Sequence, residues 1–395
     1  MTSAFRHSSL RRQVFAAALL LLPSSVSWAA SDNAVVLTQQ EWGALPDGGP
    51  ARLFTLRNAH GLTVKFTNYG GIITEIDTPD RTGTIGNIVL GFSSLNGYVV
   101  DSAKGGLFFG ALVGRYANRL ARGQFTLDGR SYQVPVTAPP NSLHGGTRGF
   151  DKQVWTVRPQ EARTGEAGVE LSLVSPDGDQ GFPGTLRVHV TYTLTDTNEL
   201  RLQYRATTDR DTVLNLTNHS YFNLGGNGSG TIEHEVLRIA ADRYTPTDST
   251  SIPTGAIDPV VNTPLDFRKP TVIGDRLRSS FPQMVYARGY DQNWIIDGVP
   301  GQKPRLAAEV SDPRSGRTMQ VLTTQPGLQV YTGNSLDGTY VGSAGTAYRQ
   351  TDGIAFETQH YPDSPNHPTF PTTELKPGQT FEQTTIYRFG MNPAR

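Results

Sequence analysis

Apolar residues recur at mostly alternate positions in short stretches of this chain, among them LFTL (53–56), LTVKF (62–66), LRVHVTY (186–192), LRLQY (200–204) and VLNL (213–216). A period of two places such side chains on one face of a pleated strand. The stretches are punctuated by the turn pairs Asp128-Gly129, Asp177-Gly178, Gly225-Gly226 and Asp337-Gly338, which suit tight connections between antiparallel neighbours. No helical periodicity persists beyond about three turns, and no self-similarity at a period of about 20–50 residues suggests a propeller or solenoid. Strand-like segments continue to QTTIYR (383–388), and nothing after residue 34 reads as a linker. The pattern predicts an all-β protein, one large antiparallel β-sandwich domain over residues 31–395. Residues 244–270, rich in Pro, Thr and Asp, are expected to form an ordered long loop.

The 42 glycines and 26 prolines agree with a turn-rich β protein. Arg6, His7, Arg11 and Arg12 precede an apolar run over residues 14–22, and the small residues Ser27 and Ala29 follow. This is the layout of a secretory signal, expected to span residues 1–30 with cleavage after Ala29 or Ala30. The run is about half the roughly 20 residues that cross a bilayer. An exported, periplasmic or secreted protein with no stable membrane association after cleavage is the expectation. Arg11-Arg12 followed by Phe15 partly matches a twin-arginine signal, but Leu10 stands where Ser or Thr is usual, so the export route stays open. The chain has no cysteine, which removes disulfides, thiolate zinc sites and thiol nucleophiles. A formal net charge of zero gives no attraction toward nucleic acid or anionic lipid. Monomer and homodimer are both compatible with the sequence.

Five segments concentrate hydrogen-bonding side chains with glycine or aromatics: GRYANR (114–119), NSLHGG (141–146), NHSYFNL (218–224), GYDQNW (289–294) and ETQHYPD (357–363). Together they offer donors and acceptors, with possible aromatic faces at Tyr221, Trp294, Tyr331 and Tyr361. A sugar hydroxyl both donates and accepts, and its C–H faces lie well on rings. A neutral polyhydroxylated ligand therefore fits better than a phosphorylated one, for which no Walker-type loop is present. His144, His219, His360 and His367 match no local metal-ligand spacing, so no metal is expected. Taken alone, a strand histidine such as His219 is structural by default, and Glu357, after Ile354-Ala355-Phe356, would be a solvent-facing strand carboxylate. The sequons at Asn215, Asn218 and Asn227 are read as incidental to a buried site.

In order, GRYANRLARGQF (114–125), NSLHGG (141–146), GFDKQVW (149–155), DGDQGFPG (177–184), NLTNHSYFNL (215–224), TPLDFR (263–268), GYDQNW (289–294), TTQPGLQVYTGN (323–334) and FETQHYPDSPNHP (356–368) resemble the aldose 1-epimerase (galactose mutarotase) family. The likeness covers nearly the whole mature chain. It implies a galactose mutarotase-like supersandwich and cofactor-free interconversion of the α and β anomers of a free monosaccharide such as glucose or galactose. By the same resemblance Glu357 stands at the catalytic base, His219 at the catalytic acid, and Asn118, Arg119, His144, Asp291 and Gln329 at sugar-contacting positions, with Tyr221 lining the site.

Such chemistry needs one base at the C1 hydroxyl and one acid at the ring oxygen. Glu and His, with ordinary pKa values of about 4.3 and 6.5, suit those roles near neutral pH. Two other classes remain open at this stage. A glycoside hydrolase would pair Glu357 with Asp291 about 5–9.5 Å apart and leave His219 remote, and a sugar-binding module would bind without anomerisation.

Overall fold

The computed structural model describes residues 1–2, 26–28, 35–45, 47–161, 163–301 and 303–392. Apart from residues 1–2 and 26–28, the expected signal segment and its cleavage site lie outside the described residues. The alternation anticipated from sequence builds a nine-stranded sheet, in the order Thr156–Pro159, Glu166–Ser175, Leu186–Thr195, Glu199–Thr208, Phe381–Met391, Arg317–Thr323, Arg305–Ser311, Val236–Ile239 and Thr271–Val272. Its neighbouring strands run antiparallel. In Leu186–Thr195 the residues Leu186, Val188, Val190, Tyr192 and Leu194 are buried while Arg187 and His189 face solvent. Burying each large apolar side chain contributes about 1.5–3 kcal/mol, so a one-residue slip in register would forfeit the whole inward row.

A second sheet of six strands runs Tyr221–Phe222, Ile354–Gln359, Gly327–Tyr331, Asp291–Ile295, Arg243–Thr245 and Asp258–Pro259. It packs on the first through Phe222 against Tyr387, ring centroids 5.0 Å apart, and a hydrogen bond of 3.0 Å from Gln383 Nε2 to Thr358 O. An N-terminal sheet, from Val26–Trp28 to Ile85–Asn87, joins the same core: Phe66 meets Tyr192 edge-on at 5.3 Å, and Tyr192 OH donates to Gly71 O at 2.7 Å. Core residues from all three sheets form one cluster, and the fold is the large antiparallel β-sandwich expected.

Several local expectations shift. Asp128-Gly129 does make a two-residue hairpin, with φ of 50° and 72° joining Leu127 to Arg130, the positive-φ pair that the twist of a tight hairpin favours. Asp337-Gly338, by contrast, lies within the strand Asp337–Val341, and the chain turns at residues 342–346. VLNL is not one strand: Thr212–Val213 ends early and Asn215 bridges to Tyr116. Residues 244–270 hold more order than a long loop, contributing parts of two short strands and burying Tyr244, Val260, Leu265 and Phe267. Proline at 246, 253, 259, 264 and 270 keeps those strands short and hides the alternation.

Candidate active site

The strand Ile354–Gln359 is buried along its full length, which requires cover on both faces. Ile354 and Phe356 enter the hydrophobic core, so Glu357 and Gln359 point to the opposite side. Register then sets the neighbours: Gln329 is opposite Glu357, Asn293 opposite Gln329, and Tyr331 opposite Asp291. One sheet face therefore carries Asp291, Asn293, Gln329, Tyr331, Glu357 and Gln359.

The other walls come from loops held by short pairings. Arg119 pairs with Leu143, and the His144 N–H donates to Asn118 O at 3.0 Å. Asn118 and His144 both hold positive φ, 61° and 52°, an uncommon conformation for non-glycine residues that clusters at functional sites. Gly145 follows at φ 87°, where an added Cβ would sit 2.1 Å from Gly114 O, so only glycine lets the chain pass. His219 is fixed through its backbone, its N–H donating to Ala111 O at 2.9 Å and its carbonyl accepting from Gly110 N at 3.0 Å.

These elements enclose a cavity of about 710 Å³ whose lining includes Asn118, Arg119, His144, His219, Tyr221, Asp291 and Glu357. Seven of the eight residues singled out from sequence thus meet at one cavity. The eighth, Gln329, lies beneath it: Gln329 Nε2 donates to Asp291 Oδ1 at 2.7 Å, while Asp291 Oδ2 faces Arg119 Nη2 at 3.6 Å. Trp294 is not an aromatic face of the site. It is fully buried, with its indole N–H donating to Leu265 O at 3.0 Å. Tyr361 packs on Phe370 outside the cavity. Tyr331 does line it. Phe108, with its ring 4.6 Å from His144 and 5.9 Å from His219, and Lys152, with Nζ 5.2 Å from the Phe108 ring, also line the cavity. Sequence gave Phe108 no distinguishing signal, and Lys152 sat in a quoted motif without a role.

His219 Nε2 and Glu357 Oε1 face each other at 3.5 Å, with side chains only 5% and 2% exposed. Burial is the main influence on both. It pushes Glu357 well above the ordinary carboxylate range, with the Asp291 charge adding to the rise and Arg119 opposing it, and lowers His219 to about 4. Burial, then the neighbouring His219, Arg119 and Lys152, holds His144 well below the usual imidazole value. His144 Nδ1 accepts the Asn118 N–H at 3.2 Å, which puts the proton of the neutral ring on Nε2. His144, His219 and Glu357 have candidate ligand atoms within 4.8 Å of one another. Yet Nδ1 of His144 is occupied and Nε2 carries hydrogen, so this ring has no free lone pair for a cation and instead donates. The side chains of Asn215 and Asn218 are buried and donate to Ala117 O and Gly110 O, which leaves neither available to a glycan.

Across residues 52–388 the chain matches the family profile described as aldose 1-epimerase. It is 46% identical to galactose mutarotase of Rattus norvegicus over 358 residues, covering 90% of this chain and 99% of that protein. It is 39% identical to aldose 1-epimerase of Escherichia coli K12 over 347 residues, covering 87% and 96%. The crystal structure of galactose 1-epimerase from Lactobacillus acidophilus superposes with a TM-score of 0.76 at 30% identity, covering 94% of this chain and 99% of that one. The chain belongs to the aldose 1-epimerase family. It is an isomerase that interconverts anomers, a mutarotase.

Proposed function

We propose that Glu357 is the base and His219 the acid of mutarotation, acting on a free aldohexose such as glucose or galactose. The observation that carries this reading is the buried His219–Glu357 contact at 3.5 Å, in a cavity whose other polar walls are Asn118, Arg119, His144 and Asp291. Glu357 removes the C1 hydroxyl proton, the C1–O5 bond breaks, and His219 delivers a proton to O5. The open aldehyde rotates about C1–C2. On closure His219 takes the O5 proton as O5 attacks C1, and Glu357 returns a proton to the C1 oxygen.

Proton bookkeeping accounts for the opposed pKa shifts. The pair holds one proton whether it is Glu⁻ with HisH⁺ or neutral acid with neutral imidazole. Ring opening converts the charged arrangement into the neutral one, which a dry site favours. The same burial makes Glu⁻ with HisH⁺ costly to assemble, His219 being lowered to about 4; ring opening relieves that cost and closure restores the charged pair. His144 Nε2–H and the Arg119 guanidinium stabilise charge developing on oxygen, and Asp291, held by Arg119 and Gln329, accepts from a sugar hydroxyl. A glycosidase arrangement is disfavoured because His219 stands 3.5 Å from Glu357 and not remote from it.

The test is polarimetry on fresh α-D-glucose and α-D-galactose, with Glu357→Gln and His219→Asn. Both variants should lose at least two decades of kcat, and near-wild-type turnover in either would overturn its assignment. The leader layout supports export with cleavage after Ala29 or Ala30, so that the enzyme meets sugar before uptake. Finding the enzyme in the cytoplasmic fraction with residues 1–30 intact would overturn this.

A further inference from the structure

On the sheet face that carries Glu357, five polar atoms end without a protein partner: Asn293 Oδ1, Gln329 Oε1, Glu357 Oε2 and both amide atoms of Gln359. Their residues are 1%, 3%, 2% and 0% exposed. Buried polar atoms are normally hydrogen-bonded, so a cluster of them beside a reacting group calls for a ligand.

The register gathers them. Gln329 is opposite both Glu357 and Asn293, and Gly327 is opposite Gln359. Directly opposed residues have Cβ atoms about 4.5–5.5 Å apart. Gly327 makes the space: a Cβ there would lie 2.4 Å from Asn293 Oδ1 and 3.0 Å from the Tyr361 ring. The Asn293 carboxamide therefore rests over bare backbone, with its Nδ2 donating to Thr245 Oγ1 at 3.3 Å.

The donor and acceptor balance defines what fits. The amide nitrogens of Asn293 and Gln329 each already have one partner, Thr245 and Asp291, so the atom that each leaves wholly without one is its oxygen. Ionised Glu357 also only accepts, and Gln359 adds one more acceptor oxygen and, in Nε2, the one nitrogen of the set with no partner at all. A water gives two hydrogens, so the four oxygens call for two waters, one of which receives from Gln359 Nε2; a water is held well where it finds two to four polar partners. We propose that Asn293, Gln329 and Gln359 hold ordered water against Glu357 Oε2, positioning the carboxylate and favouring its ionised form.

Asn293 and Gln359 do not line the sugar cavity and act through Glu357, so they are positioning residues. Donation to a carboxylate stabilises its charged form and opposes the effect of burial. Gln359→Met keeps the bulk and removes the donor, and Asn293→Ala removes an acceptor. In both, the acid limb of the kcat profile should move up by about half a pH unit or more, with KM within about twofold.

The inference rests on Glu357 being the base only for this kinetic readout. Infrared titration of the carboxyl C=O band that disappears in Glu357→Gln reads the ionisation of Glu357 directly. A shifted band with an unshifted kinetic limb supports the water site and overturns the base assignment. An unshifted band in both folded variants overturns the water site. If a variant does not fold, a high-resolution crystal structure of the wild type decides: density within hydrogen-bond reach of both Glu357 Oε2 and Gln359 Nε2 supports the proposal, and its absence overturns it.

Discussion

Glu357→Gln should inactivate the enzyme and stabilise it at the same time. A positioned base contributes about 10²–10⁴ to rate, equivalent to about 3–5.5 kcal/mol of barrier at 1.36 kcal/mol per decade. The same carboxylate is a burden on the fold, being 2% exposed with Oε2 unpartnered and pushed well above its ordinary value of 4.5, chiefly by burial. A carboxyl with a raised folded-state pKa contributes most below its unfolded-state pKa, and that contribution is lost as pH rises through the folded-state value. The amide never ionises, so it escapes the loss, and its NH₂ can donate toward the acceptor-rich floor. Wild type and variant should therefore be close in stability near pH 4 and separate toward neutrality, the variant being more stable by about 1–3 kcal/mol. Urea melts from pH 4 to 8, run beside polarimetry on the same samples, measure both effects. A stability difference independent of pH, or a less stable variant at pH 7, would refute the argument that burial sets the ionisation of Glu357.

His219 and His360 are both lowered by burial to about 4, so the stability each gives is present above pH 6.5 and lost as pH falls toward 4; NMR titration of the His219 ring should show a midpoint near 4, and His219→Asn should lessen the fall in melting temperature. Asp291→Asn deprives Arg119 of its partner at 3.6 Å and should cut kcat/KM by about 10–100-fold, read by exchange NMR of the two anomers. Trp294→Ala should cost about 3–5 kcal/mol in urea denaturation while turnover per folded molecule is retained, because this ring is fully buried away from the cavity. Turnover should be indifferent to EDTA, since His144 Nδ1 already accepts from Asn118 and Nε2 carries the ring proton.

The long strands were legible because one face is solvated and the other buried, which writes a clean alternation into LRVHVTY and LRLQY. The active-site strand lacks that contrast: both faces are covered, so IAFETQ shows no alternation, and only the family resemblance distinguished Glu357 from an ordinary strand carboxylate. The same resemblance brought seven residues to one cavity but left Gln329 in contact with Asp291 beneath it. Cross-strand register, which decides that, has no local signature. Trp294 misled for a related reason, since its indole N–H finds a backbone acceptor inside the core and an aromatic in a polar motif looks ligand-facing. Phe108 was invisible because its role comes from a positive-φ turn of 53° and not from its chemistry.

Glu357, the proposed base, is delivered by a fully buried strand of the sheet and not by a surface loop. Its carboxylate cannot be released without opening strands that the core holds shut, so the Glu357 amide should exchange with solvent deuterium only through global unfolding. Substrate entry and product release must then be carried by the rim, where Tyr286 is exposed, while the chemical centre stays fixed through every turnover.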